Sequence, residues 1–290
     1  MTGFHSGELA VQERAGVATR AHQLAGMVGR GELRPATAEF LAAARLAMLT
    51  ARDGAGRLWI SPLLGPSGFL RADTPTTLDV DFRWPAADPL HVLPAGQPAG
   101  LVVIDLAARR RIRINGVLTR AGATGMSIEV GQAYGNCPQY IHPRRLGTRG
   151  DQSTPDRIPV FTGAALRPQD RRLVERADTF FLGTTHPASG NDASHRGGPA
   201  GFVRVDGGRL SWADYPGNNL FNSLGNLAVD PSAAMVFLDF STGTTLQLSG
   251  TAALAWHDPK SGEDHDTGRE VTFTPERVVV TAIPGLHVES

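Results

Sequence analysis

Ser61-Pro62-Leu63-Leu64-Gly65-Pro66-Ser67-Gly68-Phe69 recurs as Ser194-His195-Arg196-Gly197-Gly198-Pro199-Ala200-Gly201-Phe202, with serine, glycine, proline, glycine and phenylalanine at the same spacing. Leu101-Val102-Val103-Ile104-Asp105-Leu106, followed by Ile112-Arg113-Ile114-Asn115-Gly116, likewise recurs as Met235-Val236-Phe237-Leu238-Asp239-Phe240, followed by Leu246-Gln247-Leu248-Ser249-Gly250. The offsets are 133 and 134 residues, so the two copies stay in register. A repeat of that length is a whole folding unit, far longer than a solenoid turn of about 20–50 residues. Where the copies differ, the difference shows which of them has kept polar chemistry.

The chain has 290 residues, enough for two units that each bury a core. Hydrophobic residues make up 41% and charged residues 19%, a balance that excludes a disordered chain. The formal charge is zero, so bulk electrostatics draw the protein to neither nucleic acid nor an anionic membrane. Lys260 is the only lysine, which leaves arginines, hydroxyls, amides and backbone N–H groups to hold any phosphate. Cys137 stands alone and no apolar run approaches the roughly 18 residues of a membrane span. With no apolar core of a signal peptide near the start, the expected setting is cytoplasmic.

Residues 1–34 read as a polar lead-in with a helix over 8–28, and Pro35 suits the first turn of a short second helix. The first copy is expected over 35–142, a connector over 143–169 and the second copy over 170–290. In the first copy, Arg111-Ile112-Arg113-Ile114 and Met126-Ser127-Ile128-Glu129-Val130 alternate polar and apolar, the pattern of a half-buried antiparallel sheet. In the second copy the pattern predicts helices over 170–177 and 219–229. Strands are expected at 179–185, 201–205, 235–240, 245–254 and 270–282. Short strands separated by Gly-rich turns predict a mainly β fold with peripheral helices, built as two tandem small barrels.

Polar residues gather in the second copy. Asn191-Asp192-Ala193-Ser194-His195-Arg196-Gly197-Gly198 is placed at a strand end or just beyond it, and its hydroxyl, imidazole, guanidinium and glycines suit an anionic ligand. Tyr215-Pro216-Gly217-Asn218-Asn219-Leu220-Phe221-Asn222-Ser223-Leu224-Gly225-Asn226 adds four asparagines around a helix start, more than capping and turns require. The first copy has Pro62 and Leu63 in place of His195 and Arg196, and Trp84-Pro85-Ala86-Ala87-Asp88-Pro89-Leu90 in place of the amide cluster. One copy is therefore equipped for a phosphate.

These two clusters resemble the pyridoxamine 5'-phosphate oxidase-related flavin-nucleotide-binding proteins. The resemblance extends to Ala133-Tyr134-Gly135-Asn136-Cys137-Pro138-Gln139-Tyr140-Ile141 and to the opening Phe4-His5-Ser6-Gly7-Glu8 with Gln12-Glu13-Arg14-Ala15-Gly16. It covers nearly the whole chain and implies a split β-barrel fold with FMN bound where two barrels meet. In that family two subunits usually supply the barrels, whereas this chain carries both, a pseudo-dimer that is still able to pair as a homodimer. By the resemblance Ser194 and Arg196 meet the FMN phosphate with Asn218, Asn219 and Asn222. Asp192, His195 and Trp212 lie nearer the ribityl chain or ring. Gln247, with Thr244 and Thr245 beside it, faces the pyrimidine edge, and Asn136 and Tyr140 close the site from the first copy. The implied activity is a flavin-dependent oxidoreductase acting on a small molecule, with a reduced nicotinamide as the electron donor. The alternative is a flavin carrier or sensor without turnover, and the motifs leave FAD and deazaflavin open beside FMN. Vitamin oxidase activity is not implied, because the phosphate cluster holds a single arginine, Arg196, and no lysine.

Other polar residues read more plainly. Ser194 and His195 are neighbours whose side chains diverge in extended backbone, and no Gly-x-Ser-x-Gly elbow is present, which argues against a serine hydrolase. His257, Asp264, His265 and Asp266 sit in a hairpin-like stretch without a metal motif, so no metal is expected.

Overall fold

A computed structural model describes residues 3–28, 31–148, 158–259, 266–283 and 286–289. Three short helices open the chain, α1 (Ser6–Arg14), α2 (Ala18–Gln23) and α3 (Ala25–Val28), followed by α4 (Pro35–Ala43). The first sheet takes β1 (Leu46–Arg52), β2 (Leu58–Leu64), β3 (Leu70–Thr74), β4 (Thr77–Val80), β5 (Pro98–Asp105), β6 (Arg110–Gly122) and β7 (Gly125–Gly135). After β8 (Leu146–Thr148) and β9 (Ile158–Gly163) come α5 (Pro168–Arg176), β10 (Thr179–His186), β11 (Gly190–Gly197), β12 (Arg204–Asp206) and β13 (Arg209–Ala213). Helix α6 (Asn222–Leu227) precedes β14 (Ser232–Asp239), β15 (Thr244–Trp256), β16 (Arg269–Ala282) and β17 (Leu286–Val288).

The repeat read in the sequence is a repeat of topology. The first sheet runs β2-β1-β5-β6-β7-β4-β3 and the second β11-β10-β14-β15-β16-β13-β12, the same order with each strand replaced by its counterpart. Both are antiparallel, and neither closes into a complete barrel. Pro35 and Pro168 each open the helix that leads into the first strand of their copy, where a missing N–H is harmless. β9 adds to the second sheet beside β16, and β8 pairs with β17.

Each copy has its own core, and the two meet in a third. In the first copy Ala47, Leu49, Trp59 and Leu63 point to the local core, while Leu46, Met48, Leu58 and Ile60 point to the seam between copies. In the second copy Phe180 and Leu182 point inward while Phe181 and Ala193 reach the seam. Alternation along an extended strand places these sets on opposite faces. It also explains why β1, β2 and β10 are buried almost along their whole length: both of their faces are covered. Close approach at the seam depends on Gly100, whose missing Cβ would fall 2.6 Å from the backbone of Asp192.

Several sequence expectations need correction. The helix expected over 8–28 is three helices, broken first at Gly16, which adopts φ +69°. The strand expected at 201–205 is largely a turn, with β12 starting at Arg204. The helix expected over 219–229 is only the six residues of α6, preceded by Asn219 and Phe221 at positive φ. The expected helix-dipole contribution from that start is correspondingly small. The connector carries strands β8 and β9 as well as loops, and its residues 149–157 lie outside the described part. No helix among the described residues is long and apolar enough to cross a membrane.

Candidate functional site

The polar stretch 191–197 is a buried strand, not a strand end. It pairs along its whole length with β10, from Asn191 opposite Thr185 to Gly197 opposite Thr179. At the repeat offset Trp59 and Leu63 of the first copy correspond to Asp192 and Arg196, so two core-filling side chains have become charged. Across the seam stands β6 of the first copy, which turns Arg111 and Arg113 toward β11. The cavity between them is lined by Arg111, Arg113, Ser194, His195 and Arg196, by Trp212 of β13, and by the loop 213–219 that leads to α6.

A network of hydrogen bonds fixes the floor. Arg113 lies with Nε 3.0 Å from Asp192 Oδ1 and donates from Nη1 to Tyr134 Oη (3.1 Å) and Asn222 Oδ1 (3.2 Å). Asn222 in turn donates to Glu8 Oε1 at 2.9 Å, tying α1 to the site. Helices α1 and α6 cross closely enough that a Cβ on Gly7 would sit 2.1 Å from the Gly225 carbonyl oxygen. The rim joins both copies: Asn218 Nδ2 donates to Asn136 Oδ1 at 2.9 Å, and the Tyr140 and Tyr215 rings stand 5.3 Å apart. Tyr140 holds φ +64°, and its carbonyl would lie 2.0 Å from a Cβ on Gly197, so only glycine there lets the rim segment close over β11.

Arg113 and Arg111 occupy the same strand face two residues apart but differ in their surroundings. Burial works against the Arg113 charge, and Asp192 and Tyr134 outweigh it, so its pKa is raised. Arg111 is pushed down to about 10 by burial and by the charges of Arg113 and Arg196. Its Nη1 lies 2.6 Å from His195 Nδ1 and 3.3 Å from the His195 carbonyl, while its buried Nε reaches no acceptor. An arginine only donates, so His195 Nδ1 accepts and the proton sits on Nε2. The pKa of His195 is held well below its ordinary value by burial, then by Arg111 and Arg196, which keeps the ring neutral. Arg196 shares Asp214 with Arg269, through contacts of 2.8 Å and 2.9 Å. Its own buried Nε has no partner, and the same holds for His195 Nε2 and Trp212 Nε1. Four buried N–H donors thus border one cavity without acceptors, and buried donors are rarely left so.

Of the residues expected at the site, Ser194, His195, Arg196, Trp212, Asn218, Asn219, Asn222, Asn136 and Tyr140 line this cavity. Asp192 lies behind it, paired to Arg113. Gln247 and Thr244 lie elsewhere. Gln247 donates to the Ile60 carbonyl (3.2 Å) and to Ser61 Oγ (2.8 Å), and Thr244 hydrogen-bonds Thr242 beyond the seam. The reason is the pseudo-symmetry. The sixth strand of each copy faces the second strand of the other, so Gln247 belongs to the counterpart position and Arg113 is its equivalent in the cavity. At that counterpart Ser61 donates to Asp88 Oδ1 at 2.7 Å, an acidic group where the cavity has the amide of Asn222. Gln247→Ala is therefore expected to leave ligand affinity within about twofold while lowering stability; a tenfold loss of affinity on titration would return Gln247 to the site.

Arg111 and Arg113 were missed because alternation alone reads them as the solvent face of a sheet. The usable signal was the repeat itself, which sets them against Thr245 and Gln247. Cys137 is exposed at the cavity edge. Of the residues considered for metal, Asp264 and His265 lie outside the described part, and His257 Nε2 stands 3.8 Å from Asp266 Oδ1. No group of three metal-ligating side chains occurs among the described residues.

Residues 166–277, which supply β11, Trp212 and the loop into α6, match the protein-family model described as pyridoxamine 5'-phosphate oxidase. The match lies in the second half of the chain and leaves the first half outside it. Among solved structures, a protein related to general stress protein 26 of the pyridoxinephosphate oxidase family, from Clostridium acetobutylicum, is 14% identical. That match covers 42% of this chain and 92% of the other, with a TM-score of 0.30. An FAD binding protein from Mycobacterium smegmatis is 12% identical over 42% of this chain and 98% of its own, with a TM-score of 0.27. HutZ, a heme storage protein from Vibrio cholerae, is 12% identical over 40% of this chain and 95% of its own, with a TM-score of 0.31. No curated protein matches the chain. The half that the family model matches carries the polar strand, and the first half faces it with two arginines.

Proposed function

We propose that the cavity binds a flavin mononucleotide and that the protein is a flavin-dependent oxidoreductase acting on a small molecule. The observation that carries this reading is the set of four unsatisfied buried donors, Arg111 Nε, Arg196 Nε, His195 Nε2 and Trp212 Nε1, lining one cavity from both copies. Such a lining fits an acceptor-rich anion and leaves a phosphate-free apolar ligand without a reason to bind. Arg111 and Arg196 would hold the phosphate, with the rim amides of Asn218 and Asn219 completing its shell. The bound ring supplies the two-electron chemistry; this chain binds it, orients it and sets the hydrogen bonds around it. Tyr140 and Tyr215, both only partly buried, leave the rim accessible to a small electron donor such as a reduced nicotinamide, which favours turnover over mere carriage. A cytoplasmic setting, where such donors are found, suits the single unpaired cysteine.

The test is an absorption spectrum of the purified protein, repeated after FMN, FAD or heme is added and the unbound ligand is filtered away. Flavin bands at about one FMN per chain support the proposal. A Soret band without flavin, or a colourless protein after FMN exposure, overturns it.

A further inference from the structure

We propose that Ser194, Ser223 and Asp192 form a proton relay joining the ligand cavity to a second, polar cavity beneath α1. Ser194 borders the ligand cavity. Its Oγ lies 3.1 Å from Ser223 Oγ, and Ser223 Oγ lies 2.9 Å from Asp192 Oδ2. A carboxylate only accepts, so Ser223 gives its proton to Asp192, and the Ser194 hydroxyl, which also reaches the Leu182 carbonyl at 3.4 Å, completes the chain when it turns its proton to Ser223. All three side chains are at least 97% buried by residue, which keeps bulk water from short-circuiting the chain.

Asp192 also borders the second cavity, together with His5, Glu8, Asn115 and Asn191. Two polar atoms there make no hydrogen bond, His5 Nε2, which stands 3.6 Å from Glu8 Oε2, and Asn115 Oδ1, and Asn115 is 6% exposed. His5 Nδ1 accepts from the backbone N–H groups of Gly7 and Glu8, at 3.2 Å and 3.4 Å, which places the ring proton on Nε2. The cavity thus offers one donor and one acceptor, the pairing that holds water. The charged and titratable groups facing Asp192 are Arg113, Tyr134, Glu8 and His5.

The inference rests on the flavin reading, because a ligand filling the main cavity shuts its floor off from solvent while its redox chemistry still needs protons. A proton leaves the ligand side onto Ser194 Oγ as Ser194 passes its own to Ser223. Ser223 passes its own to Asp192 Oδ2, and the carboxyl releases it to water under α1. No electron moves in these steps, and delivery to the ligand is the same sequence reversed.

The test uses full-length protein loaded with FMN, photoreduced, and followed by stopped-flow absorbance after a pH jump that protonates the bound reduced flavin. Ser223→Ala is expected to slow that protonation at least tenfold, and Ser223→Thr, which keeps the hydroxyl, to restore it to within about threefold of wild type. FMN affinity is measured in parallel by fluorescence quenching. Protein that retains no FMN overturns both the flavin reading and the relay. Protein that binds FMN and protonates equally fast in Ser223→Ala overturns the relay alone, as does failure of Ser223→Thr to rescue a folded, FMN-loaded protein.

Discussion

Arg111→Gln is expected to weaken FMN binding about 10- to 150-fold and, at the same time, to raise the melting temperature of the ligand-free protein. The two effects have one origin. Arg111 is buried beside Arg113 and Arg196, and its pKa is pushed down to about 10 by that burial and by the two neighbouring charges, which outweigh the favourable influence of Cys137. Its Nη1 is committed to His195 and its buried Nε to nothing. A phosphate would supply the missing acceptor, and hydrogen bonds to charged groups are worth about 1.5–3 kcal/mol, which corresponds to the affinity range given. Without ligand, the glutamine removes a like-charge repulsion and a desolvated cation. A gain of ~1 kcal/mol would appear as roughly 2–4 °C in a chain of this size. Titration with FMN and a thermal melt of the same apo sample check both halves. An affinity within twofold of wild type would remove Arg111 from the phosphate site, and a lowered melting temperature would mean that its charge is compensated after all.

Arg113→Ala, two residues along the same strand, is expected to act in the opposite way, with a loss of about 3–5 kcal/mol in unfolding free energy. Arg113 is 8% exposed and its partner Asp192 1%, so removing the guanidinium strands a buried carboxylate. It also takes the donor from Tyr134 and Asn222 and loosens the tie through Glu8 to α1. The double variant Arg113→Ala, Asp192→Asn should recover part of the loss, since the unpaired charge is then gone. Denaturant unfolding with and without the second substitution checks this. A single-variant loss below about 1 kcal/mol, or no recovery in the double, would show that the pair does not hold the floor of the cavity.

The contrast between these two arginines marks where the sequence could be read and where it could not. The duplication was legible because apolar runs, turn glycines and prolines recur at a constant offset, and the identical strand order of the two sheets follows from it. Elements whose hydrophobic period is strong, such as β14, β15 and β16, were placed within a few residues. Strand β11 was not, because Asn191-Asp192-Ala193-Ser194-His195-Arg196 carries almost no apolar signal. Its pairing is imposed by β10 and the seam, and its polar inner face is the wall of the cavity. Local rules fail most readily where a site has replaced a core. Nine of the residues expected at a site line one cavity, and they were legible because hydroxyls, amides and an arginine cluster in the second copy. Its other half was hidden, since a sequence read one copy at a time does not show that the sixth strand of one copy serves the other. Thr244 and Gln247 were placed by that mistake, and Arg111 and Arg113 were overlooked by it.

Carrying both halves of the cavity on one chain has a consequence for concentration. A site assembled from separate subunits empties when dilution drives them apart, and every substitution in such a subunit is imposed on all its copies. Here β6 and β11 meet intramolecularly, at an effective concentration set by the chain and not by the cell. Ligand affinity should accordingly be the same at nanomolar and micromolar protein. The covalent link also freed the counterpart position to change on its own, so that Ser61 could settle against Asp88 and Gln247 while Ser194 kept its place beside the arginines.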